Sequence, residues 1–374
     1  MEFSIKKSEV LKELDLSQGV VEKKTTIPIL SNLLLEARAE SGGRLRLSAT
    51  DLELGIKSGC EAKVKKAGSG TVPAKRLLDI VCSLPDADVN FKMLENNWIQ
   101  LTCQRSSFKL AGMAKDNFPV LPAVPKTLAS IPSGCLTTLI RRTSFAISNE
   151  ESRYTLNGAL LVLKPEAVMM VATDGHRLAM VERNIEVAGL SNELKILVPK
   201  KAMAELDRLL AEAAPEALVE FSKDDNHLFF SLGERVLIAR LLTGQFPNYE
   251  AVLPRDNTLT VELEKGAVEA AVRRVALLAD ERSHAVRVHV NKDQLEIFSQ
   301  SGEYGEAHET LDAKYDGEAL QIGFNYQYLL EFLGALGDTA KVRLELKDEQ
   351  SAGQFRPADD DTYNYRYVVM PMRI

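Results

Sequence analysis

VPAKRLLDIVCSL, residues 72–84, recurs as VPKKAMAELDRLL at 198–210 and, more loosely, as FNYQYLLEFLGAL at 324–336. In that register Asp79, Glu205 and Glu331 coincide, as do Leu84, Leu210 and Leu336, each 126 residues from the next. Self-similarity at a fixed period marks a chain built from repeated structural units. Other landmarks keep nearly the same period. ATD at 49–51 returns at 172–174, with SQSG at 299–302 in the third slot. FPVLP (118–122) returns as FPNYEAVLP (246–254), and VVMPMRI (368–374) falls where a third copy would close.

Three domains of about 120 residues follow, each near the commonest domain size. The Pro-rich FPVLPAVPK and VLPRDN are the expected linkers, because X-Pro steps favour extended chain over helix. They divide the sequence into 1–126, 127–255 and 256–374. Each repeat reads as a helix of about twelve residues, several strands, a second helix and more strands. RLRLSA, ALVEF, LFFSL, VRVHV and VRLEL have the period of two that half-buried strands need. AVMMVAT, then Asp174-Gly175, then HRLAMV is a hairpin signal, since Asp-Gly tolerates the positive φ of a tight turn. The expected class is α+β: antiparallel sheet with two helices per repeat on one face.

Composition narrows the function classes. The 374 residues are 45% hydrophobic and 26% charged, as in ordinary globular proteins. MEFSIKKSEVL lacks the apolar run of a signal peptide, and no stretch of about 18 apolar residues could span a bilayer. The expectation is a cytoplasmic protein that does not engage a membrane. Cys60, Cys82, Cys103 and Cys135 form no CxxC pair and are expected as buried, reduced thiols. The net charge of −7 argues against coating by nucleic acid over the whole surface and leaves local patches open.

Such patches are legible in the helices. Phased at about 100° per residue, Leu136, Leu139, Ile140, Thr143 and Ile147 fall on one side of their helix, with Arg141 and Arg142 on the other. Val268, Ala271, Val272, Val275 and Ala279 repeat the stripe 132 residues on, and Arg273 with Arg274 repeats the doublet. Lys75 with Arg76 and Lys200 with Lys201 open the second helices of the first two repeats, and Lys23 with Lys24 follows the first helix. An exposed helix face carries charge in any case. Recurrence at equivalent positions favours a phosphate-facing role, which gives weak, salt-sensitive and sequence-independent binding. Tyr326 and Tyr328 replace the doublet in the third repeat.

Catalytic signatures are missing. No Walker A loop, GxGxxG, GxSxG or HExxH occurs, and no two of the five histidines have the i, i+4 spacing of a metal site. Neither cofactor nor metal is expected, and Asp359–Asp361 reads as a solvated loop. Asp174, Gly175, His176 and Arg177 have the look of a catalytic loop, but a triad needs a nucleophile held against the imidazole, and Thr173 on a hairpin is a poor one. A surface that binds a partner is the better reading.

RYTLNG (153–158), VATDGHRLAM (171–180), QFPNYEAVLP (245–254) and YVVMPMRI (367–374), set on three repeats, resemble the bacterial DNA sliding clamp, the beta subunit of DNA polymerase III. The resemblance covers the whole chain. It implies three clamp domains, with sheets outside and helices lining a central pore. It also implies a homodimer joined head to tail into a ring around duplex DNA, a non-catalytic subunit that tethers the replicative polymerase. Lys24, Lys75, Arg76, Arg141, Arg142, Lys200, Lys201, Arg273 and Arg274 would face DNA without sequence preference. Lys24 stands where the family commonly has arginine.

The resemblance further implies a peptide groove for the polymerase, the clamp loader and other proteins carrying a clamp-binding motif with Gln and Leu or Phe anchors. Its walls would be Leu156, Thr173, Gly175, His176, Arg177, Leu178, Pro247, Val252, Val368, Met370, Pro371, Met372 and Arg373, with His176 and Arg177 as a polar rim. Ala251 stands where some members carry arginine. Phe108 on one partner and Leu277 with Leu278 on the other match interface positions, and Leu277 lies about 180° from the core stripe of its helix. Two rival classes remain: an enzyme of nucleic acid or sugar chemistry using Asp174 and His176, and a three-domain scaffold that binds peptides but no DNA.

Overall fold

The computed structural model describes residues 1–21, 26–39, 42–150 and 152–373. They form two compact units. Unit 1 comprises Met1–Gly134 and Lys201–Leu241; unit 2 comprises Cys135–Lys200 and Leu242–Ile374. Each unit holds one eight-stranded sheet and one smaller sheet, all pairings antiparallel.

The large sheet of unit 1 runs, side by side, through Ala129–Pro132, Leu218–Lys223, His227–Leu232, Arg235–Arg240, Leu54–Glu61, Arg44–Thr50, Asn32–Arg38 and Gly68–Pro73. That of unit 2 runs through Leu194–Pro199, Gly158–Lys164, Ala167–Thr173, Arg177–Asn184, Asn364–Val369, Gly353–Pro357, Lys341–Leu346 and Leu259–Glu264. The central third of the sequence is thus shared. Its strands at 129–132 and 218–240 extend a sheet of the first third, and those at 158–199 extend a sheet of the last. The seams are ordinary ladders, Leu237↔Ile56 in one unit and Leu178↔Val368 in the other. Backbone groups of what would be two edge strands are satisfied there.

In each smaller sheet one edge strand, Ser106–Ala111 in unit 1 and Gly305–Asp312 in unit 2, has a ladder on one side only, whereas the edge strand Leu320–Asn325 is bridged at Gly323 by Met372. In unit 1 the order is Lys63–Lys66, Glu2–Lys6, Asp88–Met93, Trp98–Cys103 and Ser106–Ala111; in unit 2 it is Gly305–Asp312, Gln294–Ser301, Ala285–Asn291 and Leu320–Asn325.

Among the described residues six α-helices each start where a strand stops: α1 Lys7–Gln18, α2 Ala74–Ser83, α3 Ser133–Thr143, α4 Lys200–Leu210, α5 Lys265–Val275 and α6 Tyr326–Ala335. The expected stripes are buried. Leu136, Leu139, Ile140, Thr143 and Ile147 in one case, and Val268, Ala271, Val272, Val275 and Ala279 in the other, lie below 9% exposure. In α6, Asn325 caps the helix, its Oδ1 accepting from the Gln327 amide at 2.9 Å. Phe3 stacks on Phe91 in the core of unit 1, and Phe332 on Tyr367 in that of unit 2, with ring centroids 4.7 and 4.8 Å apart.

Two expectations need correcting. Cys103 and Cys135 are buried, but Cys82 is exposed, because it follows the core residue Val81 round the helix onto the solvent side of α2. Cys60 is half-buried, and burial pushes its thiol up to about 12. The Asp359–Asp361 loop is not simply solvated: Asp360 accepts from Arg142 Nη2 at 2.7 Å, and Asp359 from the Ala340 amide at 3.0 Å.

The repeated ATD makes one turn twice. In unit 2 the Thr173 hydroxyl donates to the Arg177 carbonyl (2.6 Å) and accepts from the Gly175 amide (3.1 Å). Asp174 Oδ1 accepts from the amides of His176 (2.9 Å) and Arg177 (3.1 Å). In unit 1 the Thr50 hydroxyl donates to Leu54 O (2.7 Å) and accepts from Leu52 N (3.0 Å), while Asp51 Oδ1 accepts from Glu53 N (2.9 Å) and Leu54 N (2.6 Å). The third slot keeps a remnant, Ser301 Oγ accepting from Glu303 N at 3.3 Å. The middle residue has a positive φ in both full copies, 92° at Gly175 and 77° at Leu52.

A leucine in that region carries strain that glycine does not. Leu52→Gly is expected to leave stability unchanged or raise it by up to about 1 kcal/mol. Gly175→Ala should lower it by about 1–2 kcal/mol, because its Cβ would also lie 2.8 Å from Arg153 Nη1. Urea unfolding of the two variants reads the difference in sign.

Candidate functional site

The site lies in unit 2 and starts from alternation. On one face of the large sheet Leu160, Val162, Met169, Val171, Leu178, Met180, Leu197 and Val368 form a single buried cluster with Leu156 and Phe246. Leu242, Tyr249, Leu253 and Ala352 pack on it, half-buried. At the edge of this floor stands the 173–177 turn, with Gly175 and His176 exposed at its tip.

The 246–254 segment packs on the same floor. Phe246 is sunk into the cluster, Pro247 is exposed and Val252 is 39% exposed. The chain end completes the wall: the Met370 amide donates to His176 O at 2.9 Å, and the Met372 amide to Gly323 O at 2.8 Å. Beside it opens a cavity of about 590 Å³ lined by Arg287, Gln321, Gly323, Gln350 and Met370–Arg373. Met370 is 43% exposed, an adaptable apolar side chain at the lip.

The structure therefore brings Leu156, Leu178 and Val368 into one floor, with Thr173, Gly175 and His176 on one side and Met370 next to His176. Arg177 departs from its expected place. It is 8% exposed and points inward instead of forming a rim. Its Nε donates to Asp174 Oδ2 (2.9 Å), its Nη2 to Phe145 O (2.6 Å) and its Nη1 to Glu331. The guanidinium also lies over the Tyr328 ring, 4.2 Å from the centroid. Burial opposes the charge, but the surrounding Tyr367 and Glu331 outweigh it and hold the guanidinium protonated. Arg153 Nη1 clamps the same turn by donating to Asp174 O at 2.8 Å. With Asp174 spent on the turn and on Arg177, no acid–base pair with His176 is assembled.

Sequence reasoning missed Leu160, Phe246, Tyr249 and Leu253, and the partners that hold Arg177. The first four were visible as a period-two face and as the apolar letters of FPNYEAVLP. Nothing in the sequence signals Glu331 as a partner of a residue so distant.

The basic positions divide. Lys75, Arg76 and Arg141 are exposed on their helices. Arg273 is exposed and bonds Glu269 at 2.7 Å, and Arg274 is held by Glu309 at 2.6 and 2.9 Å. Lys200 donates to Asn149 Oδ1 at 2.6 Å, and Lys201 pairs with Asp51. Arg142 is a second correction: only 12% of its side chain is exposed, because Asp360 and the faces of Tyr363 and Tyr365 draw it in. Lys24 lies outside the described residues. Phe108 is half-buried on the open edge strand Ser106–Ala111; Leu277 is 80% exposed just after α5 and Leu278 is half-buried. Among the described residues no cluster of three metal-ligating side chains occurs, and no helix is long and apolar enough to cross a membrane.

Comparison with known proteins agrees along the full length. Models of the DNA polymerase III beta subunit match as N-terminal domain at 1–122, central domain at 130–248 and C-terminal domain at 250–373. The beta sliding clamp of Pseudomonas putida is 36% identical and that of Caulobacter vibrioides 35%, each over 100% of both chains. The crystal structure of the DNA polymerase III subunit beta from Pseudomonas aeruginosa superposes with a TM-score of 0.92 at 36% identity, covering 100% of both chains.

Replacing Arg177 by methionine keeps bulk but strands Asp174 and the Phe145 carbonyl. The expected cost is about 3–5 kcal/mol, against less than about 1.5 kcal/mol for Glu331→Gln, whose side chain is 48% exposed. Chemical denaturation checks it, and a loss below 1 kcal/mol for Arg177→Met would show that the buried charge holds nothing.

Proposed function

We propose, on the premise that this chain belongs to the DNA polymerase III beta subunit family of sliding clamps, that two copies close head to tail into a ring around duplex DNA. The ring acts in the cytoplasm without catalysing a reaction. It tethers the replicative polymerase, so that a released polymerase re-engages its primer from a high effective concentration. In this reading the three clamp domains are 1–126, 127–255 and 256–374, the helices line the pore, and the sheets lie outside.

One observation carries the ring: each unit ends a sheet in an open edge, and the two edges are complementary. Strand Ser106–Ala111 and the residue before it carry Arg105 and Lys109, with no acid between Cys103 and Met113. Strand Gly305–Asp312 carries Glu306, Glu309 and Asp312 and no Lys or Arg. An unpaired edge is a template for another strand. Opposite charge on two different edges of one chain favours a heterologous contact, which yields a closed ring when the rotation closes. Leu277 and Leu278 after α5 and Phe108 on the basic edge supply apolar area for that joint.

Lys75, Arg76, Arg141, Lys200, Lys201, Arg273 and Arg274 face phosphates in this reading. Several are already shared with carboxylates, which suits contact weak enough to permit sliding. The groove beside His176 receives the clamp-binding peptides of the polymerase, the clamp loader and other partners. Its apolar floor takes the Leu or Phe anchors, and the polar groups at its edge fix orientation.

Loading by a clamp loader on nicked circular DNA, followed by linearisation, tests the enclosure. A ring is retained on circles and lost from linear DNA, a scaffold is never retained, and retention equal on both forms would refute the ring. Leu277→Asp should shift the dimer to monomer by at least about tenfold in dissociation constant, the loss of about 1.4 kcal/mol of apolar burial. Sedimentation at graded concentrations reads it, and an unchanged dimer would remove Leu277 from the joint.

A further inference from the structure

On one face of the large sheet of unit 2 the cations are not matched pair by pair. Arg343 on strand Lys341–Leu346 lies directly opposite Arg356 on strand Gly353–Pro357. Like charges directly opposite in a ladder destabilise it. Arg366, on the next strand Asn364–Val369, reaches the same face, since its Nε donates to Gln354 Oε1 at 2.6 Å, two residues from Arg356. Burial, and then the charge of Arg356, pull the Arg366 guanidinium below its ordinary range. Arginines on three neighbouring strands thus crowd one face.

Their acceptors are unequally supplied. Arg366 also donates to Pro254 O at 2.8 Å. Arg343 shares Glu262 with Lys314, at 3.4 and 3.5 Å, while its buried Nε has no hydrogen-bond partner among the described residues. Arg356 pairs with no carboxylate among the described residues; its Nη2 donates to the neutral Asn364 Oδ1 at 3.3 Å. An ordered polar group left short of partners calls for an explanation, an absent ion among them.

Beside the Arg343–Arg356 pair opens a cavity of about 360 Å³, closed on its other side by the Asp360–Asn364 loop. Ala358, two residues after Arg356, lines it with only a methyl and so leaves room next to the guanidinium. Glu182, Asp360 and Asp361 also line it. Glu182 is engaged by Asn364 at 3.5 Å and Lys164 at 3.7 Å, and Asp360 by Arg142 at 2.7 Å. Asp361 is exposed, where water and salt screen it. The charge of Arg356 is the one left uncompensated.

We infer that Arg343 and Arg356 form the seat of a phosphate group in this cavity. Guanidinium forks match phosphate oxygens, and a dianion between two forks turns a repulsive pair into two charge-assisted contacts. The volume admits a free phosphate with water or the phosphate end of a small phosphomonoester. The seat uses none of the residues assigned to DNA, to partner peptides or to the joint between copies, so it stands or falls apart from them.

Equilibrium dialysis of the full-length protein against radiolabelled inorganic phosphate, at ionic strength held constant with sodium chloride, tests the seat. The parent should bind saturably, with a dissociation constant below about 5 mM. Arg356→Gln should weaken binding at least about tenfold, and Arg356→Lys, which keeps the charge and loses the fork, about threefold to tenfold. Arg38→Gln, at an exposed cation of unit 1, should leave it unchanged. Melting temperature is followed in parallel. No saturable binding by the parent, or a folded Arg356→Gln within about twofold of it, overturns the inference. Should Arg356→Gln fail to fold, Arg356→Lys decides, and parental affinity there overturns it equally. Phosphoserine displacing the label more readily than unlabelled phosphate assigns the seat to a phosphomonoester; less readily, to the free ion.

Discussion

A single buried cation organises unit 2. Arg177 leaves its strand at the tight turn, and its guanidinium reaches the turn's own aspartate, the carbonyl of Phe145 just after α3, and the ring of Tyr328 and carboxylate of Glu331 on α6. Three segments distant in sequence thereby share one charge. Such a group is costly to desolvate, so its geometry tolerates little freedom once its partners are in place. The exposed tip of that turn, Gly175 and His176, is braced by the buried Thr173 and Arg177 beneath it. Binding surfaces gain from such support, because a preordered wall loses less entropy on docking.

Unit 1 solves the same problem with other residues. Its copy of the turn is made by Thr50 and Asp51, and the cation on Asp51 is Lys201 from the start of α4. A second ion pair, the half-buried Arg235 with the buried Glu13 at 2.7 Å, ties α1 to the large sheet. The backbone device is thus repeated while the charge network around it has diverged. Hydrogen bonds within a turn depend only on local spacing and survive repetition, whereas ion pairs depend on what the neighbouring helix presents.

On the proposed function, the division between copies also separates stability from binding. In unit 1 Leu121 lies over Gly55; in unit 2 the longer linker leaves Val252 partly exposed, and Met370 is exposed next to His176. Exposed apolar surface of this kind carries a cost in solubility that the proposed binding role accounts for. The basic helix residues follow the same economy of commitment. Lys75, Arg76 and Arg141 stay exposed, while Arg142 serves the fold through Asp360 and two tyrosine rings.

What the sequence by itself determined is whatever repeats locally: the register of the copies, the phase of the helices that bury Leu136 or Val272, the alternation of the strands and the turn at ATD. Each depends on neighbours within a few residues, where periodicity and turn chemistry act directly. Leu277 belongs to this group too, since helical phase alone placed it opposite its core stripe. Only the tertiary structure decided that the central third of the chain is shared between two sheets, that Arg142 and Arg177 turn inward, and that Tyr249 faces the floor of Leu156 and Val368. Those outcomes depend on which carboxylate, ring or strand edge arrives from more than a hundred residues away. A charge at a surface phase cannot announce the partner that will bury it.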